Sequence, residues 1–217
     1  MESQSVNTGR KIRTGQVIPV KGGIYKQMWE KPHAAEADYL AEDEATDSVS
    51  ITTVSSFDEE IDFARNVVIT PTGTTADVKE GTVSVSGTDI RGNAISEDFT
   101  IIANQSTAST GAVAFKTVTQ VVIPIQDDDG ATYDIGIGSV LGLEKRLHFN
   151  TIGDHAGVDT GTTISNLTVE GTAPTVVTDT GSISKNTITF NTALAASKTY
   201  AAYMMTEDFS DPTQSEV

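Results

Sequence analysis

The chain has 217 residues and a formal net charge of −16, from 14 basic and 30 acidic side chains. It contains no cysteine, which excludes disulfide scaffolds and thiolate chemistry. The first residues lack an apolar signal core, and no stretch approaches the ~20 apolar residues of a membrane-spanning helix. We therefore expect a soluble product of the cytoplasm with no membrane partner.

Charge divides the chain near residue 31. Residues 1–31 carry six basic against two acidic side chains, a balance of +4, whereas the remainder carries eight against 28, a balance of −20. Asymmetry of this kind usually concerns attachment to a partner rather than the fold. The acidic remainder would repel phosphate backbones, and six scattered cations are few for a polyanion, so nucleic acid is not an expected partner.

Residues 1–47 are predicted to form an extended basic arm and linker. Residues 16–30 combine β-branched residues, Pro19, a glycine pair and the only tryptophan of the chain. Exposed apolar and aromatic segments usually mark interfaces, so we predict a partner-binding surface here. Its candidate residues are Arg10, Lys11, Arg13, Ile18, Lys21, Ile24, Tyr25, Lys26 and Trp29. The alternative is that this segment folds back as an edge strand of its own body.

Residues 32–43, rich in alanine and glutamate, are predicted to form a short helix that serves as a linker. Beyond residue 47, threonine, serine, valine, isoleucine and glycine dominate, and these favour pleated strands. Strands are predicted at residues 48–55 and 63–70.

Two strand pairs follow. Val83 and Val85 alternate with polar residues, and Ile95, Phe99 and Ile101 do the same beyond a turn at residues 91–93. This pattern predicts a hairpin. A second pair is predicted between residues 118–125 and 132–137, because the intervening Asp-Gly dipeptide provides the left-handed residue that a tight turn needs.

Further strands are predicted at residues 164–170, 182–190 and 199–205, with a short helix at residues 193–197. Short strands separated by glycine, asparagine and aspartate are typical of a sandwich or barrel. We therefore predict an all-β, antiparallel β-sandwich or barrel-like body with an extended N-terminal arm. The domains are residues 48–149, a β-sandwich, and residues 150–217, a second β-rich region or a continuation of the same domain.

Candidate catalytic and metal sites are weak. His33, His148 and His155 show no zinc-ligand spacing, so each is interpreted as a solvated residue. Asp154 beside His155 lacks a nucleophile elbow. The acidic run at residues 127–129 fails the EF-hand spacing and is predicted to be a solvated turn that binds no calcium. No catalytic, cofactor or metal residue is assigned, and the chain is predicted not to be an enzyme.

One region has recognisable motifs. The run FARNVVITPTGTTADVKEGTVSVSGTDIRGNAISEDFTI, followed by GAVAFKTVTQVVIPIQDDDGATYDIGIGSVLGL, covers residues 63–143. It resembles a group of virion structural proteins of tailed bacteriophages, encoded among the head genes. The recurring elements are FARN, TADV with the VSGTDI hairpin, and AFKTVT followed by VIP and GATYDIGIG. The family has no motif of catalytic residues.

This resemblance implies a capsid decoration protein, made in the host cytoplasm and bound to the capsid surface of the virion. The major capsid protein is the expected partner, contacted through the arm by strand addition or charge. A symmetric homo-oligomer is also expected, and a trimer is the leading expectation. A head-fibre or tail receptor-binding or carbohydrate-binding module is the alternative, and a virion-associated hydrolase is a third.

Overall fold

The protein is almost entirely β-structure, as predicted from its composition. The computed structural model describes residues 10–11, 17–18, 22–145, 164–165, 175–177 and 182–207, with side chains for residues 27–145, 175–177 and 182–202. Every strand pair among these residues is antiparallel, and the curled sheets form a half-barrel. The all-β, antiparallel fold class is confirmed.

Among the described residues, fifteen strands form four sheets, which we name here. The basic hairpin consists of β1 (Arg10–Lys11) and β2 (Val17–Ile18). The front sheet has the order β5 (Thr52–Val54), β10 (Thr117–Ile123), β7 (Gly81–Thr88) and β8 (Ala94–Ile101). The back sheet has the order β13 (Thr175–Val177), β14 (Thr187–Thr189), β11 (Ala131–Gly142), β6 (Arg65–Gly73) and β9 (Ser109–Thr110), and β4 (Glu36–Ala45) also pairs with β11. The end sheet has the order β12 (Ile164–Ser165), β15 (Thr199–Glu207) and β3 (Gly22–Glu30).

The main core lies between the front and back sheets. Alternate residues of each strand point into it, because successive side chains of a strand face opposite sides of the sheet. Val83 and Val85 of β7 are fully buried, and so are Ile135 and Ile137 of β11. Burying each aliphatic side chain of this size contributes about 1.5–3 kcal/mol relative to exposure, so this core is sufficient to hold the two sheets together.

The hairpin predicted between residues 81 and 101 is confirmed. β7 and β8 pair along their whole length, from Gly81 with Ile101 to Thr88 with Ala94. The turn is closed by Asp89, whose carboxylate accepts hydrogen bonds from the backbone N–H groups of Arg91 and Asn93 at 2.8 and 2.9 Å. Gly92 has a φ of +82°, a conformation that glycine adopts without strain.

The predicted pairing of residues 118–125 with 132–137 is wrong. The two strands form as β10 and β11, but β10 pairs with β5 and β7 while β11 pairs with β4, β6 and β14. The connecting segment therefore crosses from the front sheet to the back sheet. Pro124 has no backbone N–H and cannot continue the ladder of β10, and the seven residues that follow β10 are too many for a tight turn.

The predicted linker helix at residues 32–43 is also wrong. This segment contains β4, which pairs with β11 from Thr132 with Ala45 to Ile137 with Glu36. Two register shifts interrupt the pairing, and the consecutive residues Leu40 and Ala41 are both buried. These irregularities remove the alternation that identifies a strand in a sequence. β4 lies before the predicted boundary at residue 47 but belongs to the back sheet.

The bulge in β11 explains the FARN motif. The pairing of β6 with β11 jumps from Ile137 to Leu141, so the residues between them have no ladder partners on β6. The Arg65 side chain donates to the carbonyl of Gly138, and Asn66 Oδ1 accepts the backbone N–H of Val140 at 3.0 Å. Both side chains are buried and satisfy backbone groups that would otherwise be unpaired.

A second core lies between the end sheet and the distal part of β11. It contains Trp29, Leu141, Leu143, Ile188, Phe190, Leu194, Tyr200 and Ala202. The strand predicted at residues 199–205 is confirmed as β15, and the one at 182–190 is shortened to β14 after a 3-10 turn at Ile183–Lys185. The helix predicted at residues 193–197 is wrong, since these residues form a turn that buries Leu194. Of the strand predicted at 164–170, Ile164–Ser165 is β12 and residues 166–170 lie outside the described residues.

Within the described part of the chain, we find no helix whose length and apolar character would allow it to cross a bilayer.

Candidate docking site

The predicted partner-binding residues fall into two structural groups. Arg10 and Lys11 form β1 of the basic hairpin, where they pair with Ile18 and Val17 of β2. Arg13 and Lys21 lie outside the described residues. No strand of another sheet pairs with the described residues of the basic hairpin.

The second group lies on β3 and is folded onto the body. Ile24, Tyr25 and Lys26 pair with Met205, Met204 and Tyr203 of β15, and Trp29 pairs with Tyr200. The Trp29 side chain is only 1% exposed and meets the Phe190 ring edge-on at 5.6 Å between centroids. Trp29 is therefore a core residue, and it is removed from the candidate docking surface. The alternative that this segment folds back as a strand of its own body describes β3.

Gln27 joins β3 to the back sheet. Its side-chain amide donates to the carbonyl of Gly142 at 3.0 Å and accepts the backbone N–H of Glu144 at 3.0 Å. The Arg65 guanidinium donates both to the carbonyl of Gly138 and to the carbonyl of His33. Gln27, His33 and β4 thus follow β11 from its C-terminal end toward its N-terminal end.

Acidic side chains are concentrated on β4 and on the segment 58–62. These two segments are joined by a hydrogen bond from the backbone N–H of Asp58 to the carbonyl of Leu40 at 2.8 Å. The carboxylates of Glu36, Glu44, Asp58, Glu59 and Asp62 lie near one another on these segments, and we name this set the acidic face. Asp38 and Asp43 lie instead beside Asp134 of β11. Sequence reasoning missed the acidic face because β4 was interpreted as a linker, although the runs EDE and DEE were a visible signal.

The electrostatic effect of this face is visible in two pKa values. Burial, and then the charges of Asp62 and Glu59, raise the pKa of Tyr39. Burial, and then Asp58, raise the pKa of Glu44. Arg65 opposes this charge, since its side chain lies 3.2 Å from Asp62 Oδ1, but it is fully buried and cannot be presented to a partner. The acidic face is therefore a negative surface suited to a cationic partner.

The acidic run at residues 127–129 has mostly internal partners. Asp129 Oδ1 accepts the backbone N–H and the hydroxyl of Ser48 at 2.9 and 2.7 Å. The backbone N–H of Asp127 donates to the carbonyl of Asp77 at 3.0 Å, and its carboxylate lies 3.7 Å from Lys79 Nζ. Within the described residues, no group of three or more histidine, aspartate or glutamate side chains is arranged to hold a metal ion.

No protein-family model, curated protein or solved structure matches this chain.

The structure describes only some of the residues on which the alternative functions depend. A carbohydrate-binding module presents exposed aromatic side chains, but Tyr200 is 3% exposed and its hydroxyl donates to the carbonyl of Ala193 at 2.8 Å, so it offers no platform for a sugar. His33 Nδ1 lies 3.3 Å from the Glu36 carboxylate near the surface. Asp154, His148 and His155 lie outside the described residues.

Proposed function

We propose that the chain is a structural protein of a tailed-phage virion, and specifically a capsid decoration protein. The observation that carries the proposal is the separation of charge across an all-β protein, in which a basic hairpin precedes a body with an acidic face. The motifs of residues 63–143 support it, because they resemble those of virion structural proteins. In this proposal the protein binds the outer surface of the major capsid protein on the virion.

In this proposal the docking element is limited to residues 1–21, rather than extending to Trp29. Trp29 stabilises the fold, and β3 pairs with β15 along its length, so neither is available as a separate arm. The basic hairpin contains the cationic residues Arg10 and Lys11. Among the described residues, it does not pair with another sheet. It would contact the capsid by charge and by main-chain hydrogen bonds to an exposed strand, a common mode of recognition for extended segments.

The body has features suited to a stabilising protein. Its buried polar side chains Arg65, Asn66 and Gln27 all hydrogen-bond to backbone groups of the fold. Two hydrophobic cores support the strands without disulfides. Closed cyclic symmetry is the usual arrangement of homo-oligomers, and we propose a trimer on the capsid.

Co-sedimentation with capsids that lack the decoration protein tests the proposal. The variant Arg10→Glu with Lys11→Glu should bind at least about tenfold more weakly at low salt, because exposed charge pairs are screened over a Debye length of about 8 Å at physiological ionic strength. The matched control is Arg91→Glu with Lys198→Glu, an equal charge change at two exposed positions of the body. If arm and control variants bind equally well, the arm is not the docking element. If the wild-type protein fails to bind capsids, the decoration proposal itself is rejected.

A further inference from the structure

Exposed apolar side chains are concentrated at one end of the front sheet. Among the described residues, six large hydrophobic side chains are exposed. Met28 and Val177 are on β3 and β13. The other four lie together at the end of the front sheet, with exposed fractions of 81, 59, 52 and 36%: Val49, Ile51, Ile102 and Ile125. We name these four residues the apolar rim. A group of exposed apolar side chains, unlike a single one, marks an interaction site.

Strand register brings three of these residues to the same end of the sheet. Val49 and Ile51 precede β5, and Ile125 follows β10. The first residue of β5 pairs with the last residue of β10, so the segments outside this pair leave the sheet side by side. The backbone N–H of Gln126 donates to the carbonyl of Asp47 at 3.1 Å, which joins the two segments.

Ile102 reaches the same end from the far side of the sheet. It follows β8, whose last residue pairs with Gly81, the first residue of β7. Val122 of β10 pairs with Ser84 of β7, so the start of β7 lies beside the end of β10. Strands β5, β10, β7 and β8 are successive neighbours, and the apolar rim therefore spans three interstrand spacings, or about 14 Å.

Exposed carboxylates flank the apolar rim. Glu80 precedes β7 at this end of the sheet, and Asp127 and Asp128 follow Ile125 in the chain. The ammonium of Lys79 lies 3.7 Å from the Asp127 carboxylate and offsets part of this charge. A second copy that met this end would bring its own carboxylates close, because each copy has a net charge of −16. Like charges that meet across an interface oppose association, so the charge favours a different protein as the partner.

The size of the apolar rim also argues against a self-contained dimer interface. A stable complex buries about 800 Å² on each partner, and four side chains with these exposed fractions supply roughly half of that area. A contact of this size becomes effective when another contact already holds the same partner, because the second one then acts at a high effective concentration. In the decoration function proposed above, the basic hairpin makes that first contact.

We propose that the apolar rim is a second capsid contact, which packs on an uncharged or cationic aliphatic patch of the major capsid protein. The strand that follows the arm, β3, is bound through Gln27 to Gly142 at one end of β11, and the rim adjoins the other end, where the Thr46 hydroxyl donates to the carbonyl of Ala131 at 2.7 Å. The twelve residues of β11 span about 36 Å. The body would therefore lie lengthwise on the capsid. This inference rests on the proposed decoration function.

Co-sedimentation of the full-length protein with undecorated capsids, at low and at high salt, tests the second contact. The rim variant carries Val49→Ser and Ile51→Ser. Its matched control carries Met28→Ser and Val177→Ser, which removes the two exposed apolar side chains that lie elsewhere. The arm variant, Arg10→Glu with Lys11→Glu, is measured beside them. Thermal melts and sedimentation velocity of each free protein complete the set.

The rim variant should bind capsids about tenfold more weakly than the wild type at both salt concentrations, because the lost contact acts through burial of apolar surface. The matched control should bind as the wild type does. The arm variant should lose most at low salt, where its charges are least screened. The free rim variant should keep the melting temperature and the sedimentation coefficient of the wild type, since both altered side chains face solvent.

Three results would overturn the inference, and each points to a different occupant. Undiminished capsid binding by the rim variant, with a weakened arm variant, leaves the decoration function intact and removes the rim contact. A melting temperature lowered by several degrees in the free rim variant would mean that another segment of the same chain covers the rim. Reduced self-association of that variant would mean that a second copy covers it. A wild type that fails to bind capsids rejects both proposals.

Discussion

The two hydrophobic cores are built in different ways. The main core joins strands of seven to twelve residues that follow closely in the chain, such as β7, β8, β10 and β11. The second core joins β3 to β15, which pair Glu30 with Thr199, and it is completed by the three-residue strand β14. The main core contains more and longer strands, with both a pairing of chain neighbours, β7 with β8, and distant pairings such as β6 with β11, whereas the second core depends on one pairing across most of the chain.

This difference predicts unequal local stability. A region with few strands should open more readily than the large core, because local unfolding follows contiguous cooperative units. β11 belongs to both cores, through Ile135 and Ile137 at one end and Leu141 at the other. The second core should therefore open without loss of the first, whereas loss of the first should unfold both.

Truncation of Trp29 should have the largest effect. Trp29→Ala removes the largest buried side chain of the second core and should lower the free energy of unfolding by about 3–5 kcal/mol. Hydrogen exchange should accelerate in β3 and β15 while β7 and β8 remain protected. Met28→Ala, on the same strand but 40% exposed, is the control and should change stability by less than about 1 kcal/mol. Uniform acceleration across the protein would show that the two cores unfold as one unit.

Arg65→Ala should cost about 3 kcal/mol. The change removes the buried donor of the Gly138 and His33 carbonyls and leaves the half-buried Asp62 without its cation. Because Arg65 supports the bulge of the strand shared by both cores, exchange should accelerate in both. Arg91→Ala, at an exposed turn, is the control for chemical denaturation. A loss confined to one core would mean that the bulge does not couple them.

Gln27→Leu should lower the free energy of unfolding by about 1–3 kcal/mol, because it removes the hydrogen bonds that the side-chain amide makes with the carbonyl of Gly142 and the N–H of Glu144. These hydrogen bonds connect the end sheet to β11, so the effect should appear in the exchange of β3 and β15 alone. Gln120→Leu, at an exposed position of the front sheet, is the matched control. Equal stability of the two variants would show that packing around Trp29, rather than Gln27, holds the end sheet in place.

The smallest expected effect is the change in folding stability with pH that is caused by Glu97. Burial raises the pKa of Glu97 above its ordinary value of 4.5, although its carboxylate accepts the backbone N–H groups of Ala112 and Val113. A raised pKa means that the folded protein binds this proton more tightly than the unfolded chain. The stability contributed by this group is therefore complete below pH 4.5 and is lost as the pH rises through the raised pKa.

Thermal melts of the wild type and Glu97→Gln across this pH window measure the effect. Since glutamine does not titrate, the wild type should lose stability relative to the variant as the pH increases. Glu44 and Asp134 also have pKa values raised by burial, and both proteins share their contribution. A difference between wild type and variant that does not change with pH would show that Glu97 ionises as freely in the folded state as in the unfolded one.

Sequence patterns were sufficient to predict strands in which apolar and polar residues alternate and which pair with their neighbours in the chain. β7 and β8 were predictable because Val83, Val85, Phe99 and Ile101 alternate with polar residues on either side of a glycine turn. β4 was not, because its bulges and its acidic composition imitate a helix, and only the pairing with β11 selects the strand.

The candidate site was predictable only in its charge. The cations of residues 10 and 11 were visible in the sequence, and so was the asymmetry with the body. The burial of Trp29 was not, since its partners Phe190 and Tyr200 are more than 160 residues away in the chain.

The pairing of β3 with β15 also determines when the end sheet can form during translation. About 170 residues separate the two strands, so at 5–20 residues per second β3 waits roughly 10–30 s on the ribosome for its partner. Trp29 has no complete pocket during that interval, while β6 to β11 can already fold behind it. Translation rate and chaperone supply should therefore affect the yield of the end sheet more than that of the main core.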